Sequence, residues 1–376
     1  MIRYIHIQNF KSLKNLRMKP ANLNLCFGIN GMGKSSFLQA LLLLRQSKLK
    51  GTLNNKGLLL NDKDLISIGT GKDAFYQSAG KDEFIQFEIH AQNNLKYKWS
   101  FGFEPTSDIL PLKVEHVLDF DEFTNLENLS LFNNHFQYLT AEHYGPQKLY
   151  PKSELEVKQN RNIGTKGEYS VHYLSVFGQS EKIKFANLLH PKAPSNNLLH
   201  QTTAWLSEIS PGTKLVIEDV KGVDLLKLGI QFESQTGFTN EFSPINVGFG
   251  ILYVLPVIVS LLKAEPGALL FIENPESHLH PKGQSAIGRL MALTAHNGVQ
   301  IFCESHSDHI VNSARVSVKA NEINNKNLAI YYFDRSITDD EHKTRMTEIF
   351  VDHKGELSDY PIGLLDEWSN LLMHLI

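Results

Sequence analysis

Residues 28–35 read Gly28-Ile-Asn-Gly-Met-Gly33-Lys34-Ser35: two glycines flanking four residues, then a lysine and a hydroxyl. That is the full pattern of a phosphate-binding loop. Glycines let the backbone curl until successive N–H groups face one anion. A helix starting here aims the positive end of its dipole at the same phosphates. Lys34 would reach the outer phosphates, and the Ser35 hydroxyl would ligate Mg²⁺. Asn30, Gly31, Met32, Gly33 and Ser36 complete the cradle. The chemistry this predicts is binding of ATP with Mg²⁺.

Two further groups could complete such a site. Ala268-Leu-Leu-Phe-Ile-Glu273 is an apolar strand ending in a carboxylate, which can hold the Mg²⁺ shell opposite the loop hydroxyl. Asn274, Pro275 and Glu276 follow it. Glu304-Ser-His306-Ser-Asp308-His309 ends a second apolar run, where a histidine could hydrogen-bond a γ-phosphate. Glu, His, Asp and His can all ligate metals. Ser307 or Asp308 is an obvious helix N-cap, however, so the segment reads as a helix start rather than a metal site. His278 and His280 read as polar turn residues.

These residues need strands and helices to hold them. Alternation predicts a strand over 2–8, and an apolar run a second over 23–27 that ends at the glycine loop. Residues 36–46 read as a buried helix. Half-buried strands are expected over 84–91, 95–103 and 112–118, with Asn93-Asn94 turning the first hairpin. One more strand is expected over 136–141. Residues 148–210 are polar, lysine-bearing and weakly periodic, and read as a helical or partly mobile insertion. Short strands are expected over 214–217 and 226–232. Then come a helix from Gly248-Phe-Gly250 to 263, a strand over 268–273 and a helix over 283–295. A strand over 299–303, a helix over 308–316, strands over 328–333 and 346–351 and a closing helix over 362–375 complete the chain. Strands alternating with helices around a glycine loop predict an α/β core with a parallel sheet.

The bulk numbers set limits. The chain has 376 residues, 42% hydrophobic and 20% charged, which is ordinary for a globular protein with a large core. A net charge of -3 gives no global basic field for nucleic acid. The two cysteines, Cys26 and Cys303, each lie in an apolar run and read as buried free thiols of a reducing cytosol. The start lacks the pattern of a secretory signal, and the longest apolar run, near 251–262, is too short to span a bilayer. A cytoplasmic protein without a membrane span is expected.

Together these segments resemble the ABC-type ATPase heads of the RecF, SMC and OLD group. Ile-Gln-Asn-Phe-Lys-Ser-Leu-Lys-Asn-Leu looks like that group's opening strand. Ile272-Glu-Asn-Pro-Glu-Ser-His-Leu-His-Pro281 resembles its Walker B motif and D-loop, and Glu304-Ser-His306-Ser its switch histidine. Asn246-Val-Gly-Phe-Gly250 stands where the signature motif belongs. Tyr-Leu-Thr-Ala-Glu142-His-Tyr-Gly-Pro and the tail from Leu357 resemble the Q-loop region and end of one bacterial subgroup, the antiphage-associated AAA-type predicted ATPases (PtuA-like). The resemblance implies a P-loop ABC-type head with a mixed or parallel core sheet flanked by helices, an antiparallel β subdomain and a helical insertion. The lobes implied are 1–147, the insertion 148–210, and 211–376. It also implies a homodimer closing around ATP, with Gly248 and Gly250 of one copy facing the phosphate loop of the other.

Two departures qualify this. Aligned on the strand end, Glu273 takes the Mg²⁺ position and Asn274 the place of the catalytic glutamate. An amide cannot accept a proton from attacking water. Glu276 is then the candidate base, and weak turnover is expected. Second, about 70 residues follow His306, little room for a fused nuclease. Any cutting activity is expected from a separate effector such as a nuclease, with this chain as its ATP-dependent sensor in antiphage defence. The competing readings are a DNA repair clamp and a scaffold that binds ATP without hydrolysing it. The clamp would grip DNA through Lys148, Lys152, Lys158, Arg161 and Lys166. Glu154, Glu156 and Glu168 interrupt that run, so it reads as a solvated face.

Overall fold

Alternating residues make the N-terminal segment a strand, and in the computed structural model Ile2–Phe10 buries Ile5, Ile7 and Phe10. The structure describes residues 1–80, 83–92, 95–113, 126–335, 341–366 and 371–374. Contacts group them into two units: residues 1–133, 329–350 and 357–376, and residues 134–328 with 351–356.

The first unit contains an antiparallel sheet in the order Leu13–Met18, Ile2–Phe10, Phe84–Ala91, Lys96–Gly102. The Asn93-Asn94 turn lies outside the described residues, as does most of the strand expected over 112–118. Its described neighbourhood is a short ladder of Ile109–Pro111 with Gly57–Leu59, and a bridge from Leu112 to Phe101. A second set of strands runs Arg345–Phe350, Leu328–Asp334, Leu23–Gly28. Leu23–Gly28 buries Leu23, Leu25, Cys26 and Phe27, then turns through the glycine loop into the helix Lys34–Leu49. That helix buries Phe37, Leu38 and Leu41 to Leu44, and an apolar surface this wide makes it a core helix. Arg45 Nη1 on the helix donates to the carbonyls of Leu131, at 2.7 Å, and Asn133, at 3.1 Å. The helix is thereby pinned far beyond the loop.

The closing helix expected over 362–375 needs correction. Residues 362–366 form turns, and Gly363 and Leu365 have φ of 89° and 63°. Left-handed residues end right-handed helices. Gly363 N donates to Asp366 Oδ2 at 2.9 Å, closing the turn. Residues 371–373 are helical, and 367–370 and 375 lie outside the described residues.

The second unit contains three parallel strands in the order Gln300–Glu304, Leu269–Glu273, Phe136–Leu139. They are almost wholly buried, as parallel strands flanked by helices must be. The parallel register places Glu273 opposite Glu304. The helices Phe249–Lys263, Pro281–His296 and Asp308–Lys319 follow in the chain. Ser307 caps the last by accepting from Ile310 N. Thr213–Asp219 pairs antiparallel with Leu225–Ser234. The stretch from 148 holds a π-type turn, Leu155–Gln159, and the helices Ser170–Phe177 and Leu198–Ile209. Cys26 and Cys303 are buried and free. Among the described residues no helix is long and apolar enough to cross a membrane.

Pro256 sits inside Phe249–Lys263, and Gly167 packs on its ring. A Cβ at Gly167, where φ is 77°, would lie 2.2 Å from Pro256 Cβ. Gly167→Ala combines overpacking with left-handed strain and should cost about 2–4 kcal/mol. Urea unfolding measures this; a loss under roughly 0.5 kcal/mol, the level of a neutral surface change, would show that the contact does not matter.

Candidate functional site

The glycine loop lies in the first unit. Gly28 and Gly33 have φ of 137° and 100°. A Cβ on Gly28 would lie 2.1 Å from the Phe333 carbonyl oxygen, and one on Gly33 2.3 Å from Thr344 Oγ1. Only glycine fits either place. Lys34 is buried, and its Nζ donates to the carbonyls of Gly28, at 2.8 Å, and Ile29, at 3.0 Å, closing the loop on itself. Asn30, Gly31 and Ser35 are exposed, and Met32 and Ser36 are partly so. The helix behind them starts at Gly33 with no side-chain cap and no acid in its first turn. The dipole of such a helix start favours an anion.

Thr344 braces this loop, and sequence reasoning missed it. Thr344 Oγ1 lies 2.9 Å from the Met32 carbonyl and 2.8 Å from Ser12 Oγ, and Thr344 N donates to Ser12 O at 2.8 Å. Over three hundred residues separate Thr344 from Met32, and no motif surrounds it.

The acidic residues lie in the second unit. Glu273 Oε1 accepts from Tyr138 Oη at 3.0 Å, and Oε2 accepts from Ala141 N at 3.2 Å. Both donors come from the segment likened to a Q-loop; Tyr138 itself carried no signal beyond that likeness. Burial, with Glu304 facing it, pushes the Glu273 carboxyl up to about 7. Burial likewise raises the Tyr138 hydroxyl, so that it stays a donor.

Asn274 turns the chain out of the strand. Its φ is 47°, a conformation asparagine tolerates. Asn274 N donates to the Glu304 carbonyl at 2.8 Å. Glu276 Oε1 accepts from His306 N at 2.7 Å, so Glu276 and His306 are brought together. Burial raises the Glu276 carboxyl, against the pull of that N–H. Asn274 Oδ1 and Glu276 Oε2 are buried acceptors with no hydrogen-bond partner among the described residues. Such orphans mark where water or a ligand belongs.

The signature segment is also in the second unit. Gly248 caps Phe249–Lys263, again with no side-chain cap and no acid in the first turn. Space around its absent Cβ is open, whereas a Cβ on Gly250 would lie 2.6 Å from the His278 carbonyl oxygen. A side chain would therefore fit at Gly248 but not at Gly250, where glycine is needed for packing on the turn after Glu276. A cleft of about 550 Å³, lined by Asn246, Gly248, Gly250, His278 and His280 among others, opens here.

Mg²⁺ fits the chemistry of these groups. Glu273 is a hard oxygen donor that its surroundings leave short of positive charge. Among the described residues no cluster of three or more His, Cys, Asp or Glu could cage a metal. Mg²⁺ commonly does without one, keeping waters and sharing phosphate oxygens.

This loop and fold define an ATP-binding P-loop ATPase of the ABC-type head class. More particularly, the chain belongs to the family described as "AAA domain, putative AbiEii toxin, Type IV TA system", whose profile matches residues 23–312. A second profile, "Protein of unknown function (DUF3696)", matches residues 323–375. Among solved structures, an SMC head bound to the C-terminal winged-helix domain of ScpA has a TM-score of 0.52 and 13% identity, over 93% of this chain and 98% of that one. The SMC head domain from Thermotoga maritima scores 0.47 at 10% identity, over 93% and 99%. At such identities the first of these speaks for the fold alone. No curated protein sequence is similar enough to match.

The raised Glu273 carboxyl gives a pH test. It is protonated up to about 7 in the fold but only to about 4.5 when unfolded. The folded state thus binds the extra proton between these values, and stability falls as pH rises through them. Glu273→Gln should remove that fall, stabilising the nucleotide-free protein by about 2–3 kcal/mol at pH 8 and little at pH 4. Thermal melts at both pH values, showing no difference between the variants, would contradict this.

Proposed function

We propose that this protein is an ATP- and Mg²⁺-dependent homodimer with slow hydrolysis, whose closure reports on a separate effector protein. The observation that carries the reading is a pair of anion-ready helix starts. Both Lys34–Leu49 and Phe249–Lys263 open at a glycine, without side-chain cap or first-turn acid. In this reading Asn30 to Ser36 hold the phosphates, with Lys34 on the outer ones. Ser35 and Glu273 ligate Mg²⁺, and Gly248 of a second copy closes on the γ-phosphate. The His306 side chain, which is exposed, contacts that phosphate. Gly250 presents its backbone N–H beside that of Gly248, and its packing on the His278 carbonyl seats the helix.

Slow turnover follows from the elbow after Glu273. Asn274 offers an amide where a base is needed. Glu276 has one oxygen occupied by His306 N, and the other, Oε2, is buried without a hydrogen-bond partner among the described residues. Glu276 is the candidate base, acting beside Asn274 and His306.

The biological assignment is antiphage defence in the cytoplasm, as in the PtuA-like subgroup, with an effector such as a nuclease. The family description names an AbiEii toxin and a type IV TA system. One observation disfavours a DNA clamp. Of the five cations proposed to grip DNA, Lys152, Lys158, Arg161 and Lys166 are paired with Asp219, Glu154, Glu181 and Glu142.

Lys34→Ala should abolish ATP binding in calorimetry and remove phage resistance in the native host. Glu276→Gln should retain binding and slow single-turnover hydrolysis by about 10²-fold. An unchanged rate would remove Glu276 from the site. Salt-sensitive, ATP-dependent binding to plain duplex would favour the clamp instead.

A further inference from the structure

A second polar cleft lies in the same unit, at the far end of the helix that starts at Gly248. That helix ends at Lys263. Lys263 Nζ makes one hydrogen bond, to the Arg161 carbonyl at 2.9 Å, and lies 5.3 Å from the centre of the Tyr173 ring. An ammonium has three donors, so two remain without a hydrogen-bond partner among the described residues. The cleft beside it, about 190 Å³, is lined by Arg161, Tyr173, Glu181, Lys263, Glu265 and His135, with apolar residues beneath. One water needs only ~15 Å³ of such space, so the cleft has room for a small ligand.

The cleft is built around cations whose own carboxylates are already engaged. Arg161 Nη2 donates to Glu181 Oε1 at 2.9 Å, and Tyr173 Oη donates to Glu181 Oε2 at 3.1 Å. Glu265, on the rim, is paired with Lys184 at 3.1 Å. Lys263 is left without a carboxylate partner. Arg161 has φ of 53°, uncommon for a residue with a side chain, and this turn aims its carbonyl at Lys263. Its guanidinium lies 3.8 Å from the Phe177 ring centre and 5.2 Å from that of Tyr173, and Arg161 lines the cleft. Burial lowers the Lys263 ammonium to about 8; Glu181 opposes this and Arg161 adds to it. A structural lysine could be replaced here by an apolar residue with gain, because burying an incompletely paired charge is costly.

We propose that Lys263 and Arg161 form a binding site for a small oxyanion, a phosphate or carboxylate group, distinct from the glycine loop. The anion fills the two open donors of Lys263 and the outward edge of the Arg161 fork, whose planar donors suit such oxygens. It also restores the charge balance that Glu181, held by Arg161 and Tyr173, leaves incomplete. The bound anion would rest at the end of the helix whose start carries Gly248.

Two measurements on the full chain test this. In the first, an amine-acylating reagent labels the protein, and mass spectrometry follows Lys263 with and without millimolar inorganic phosphate or acetate. Protection of Lys263, with other lysines unaffected, is expected. Protection by phosphate alone or acetate alone fixes which oxyanion the site takes; protection by neither overturns the proposal. In the second, phosphate binding is measured by calorimetry in Lys34→Ala, which disables the glycine loop, and in Lys34→Ala/Lys263→Met. Binding should be lost in the double variant. In the single variant its Kd should rise about tenfold per pH unit above 8, as Lys263 loses its proton. Equal affinity in both, or no pH dependence, would show an adventitious surface ion and overturn the site. Should the double variant misfold, the labelling result decides alone.

Discussion

A carboxylate at the end of a buried parallel strand is the constraint on which the candidate chemistry depends. Parallel pairing sets Glu273 opposite Glu304, and helix-covered strands keep water away. Two acids in such a place favour one proton or one cation between them. Tyr138 and Ala141 offer only neutral donors to Glu273. Burial beside Glu304 thus favours the neutral form of the Glu273 carboxyl up to about 7. The first unit separately carries a helix start without a side-chain cap or first-turn acid, behind a loop whose Gly28 and Gly33 leave no room for a side chain.

Much of this was legible in the sequence. Strand and helix positions around the loop follow from apolar runs ending at glycine or glutamate, because buried elements must be apolar and their ends must be polar. Gly28, Gly33 and Lys34 follow from fixed spacing, since their work is done by backbone and helix dipole. What the sequence did not reveal depends on contacts between distant segments. Thr344 braces Met32 and Ser12 through a single hydroxyl, which any surface threonine could supply. Gly250 carries a packing role that the sequence did not show, its absent side chain making room for the His278 carbonyl. The tail sequence predicts a closing helix over 362–375, but Gly363 and Leu365 adopt left-handed angles that stop one.

The elbow after Glu273 separates binding from hydrolysis. Asn274 suits the left-handed turn that a chain leaving this strand must make, so its amide is as much a backbone choice as a chemical one. Glu276 holds the backbone N–H of His306, which couples the two residues that follow the paired strands. On the proposed reading, such a site would bind ATP and turn it over slowly. Ion pairs already engage Lys152, Lys158, Arg161 and Lys166, which disfavours these cations as a grip on a duplex.

The central claim is that each ATP is enclosed by the loop of one copy and the Gly248 helix of another. Mixing Lys34→Ala with Gly248→Asp, each inactive alone, tests it most directly. A mixed dimer would join the intact loop of the Gly248 variant to the intact helix start of the Lys34 variant. Random pairing should restore about a quarter of the wild-type hydrolysis rate. No recovery, in a mixture shown by native mass spectrometry to contain mixed dimers, would contradict the composite site.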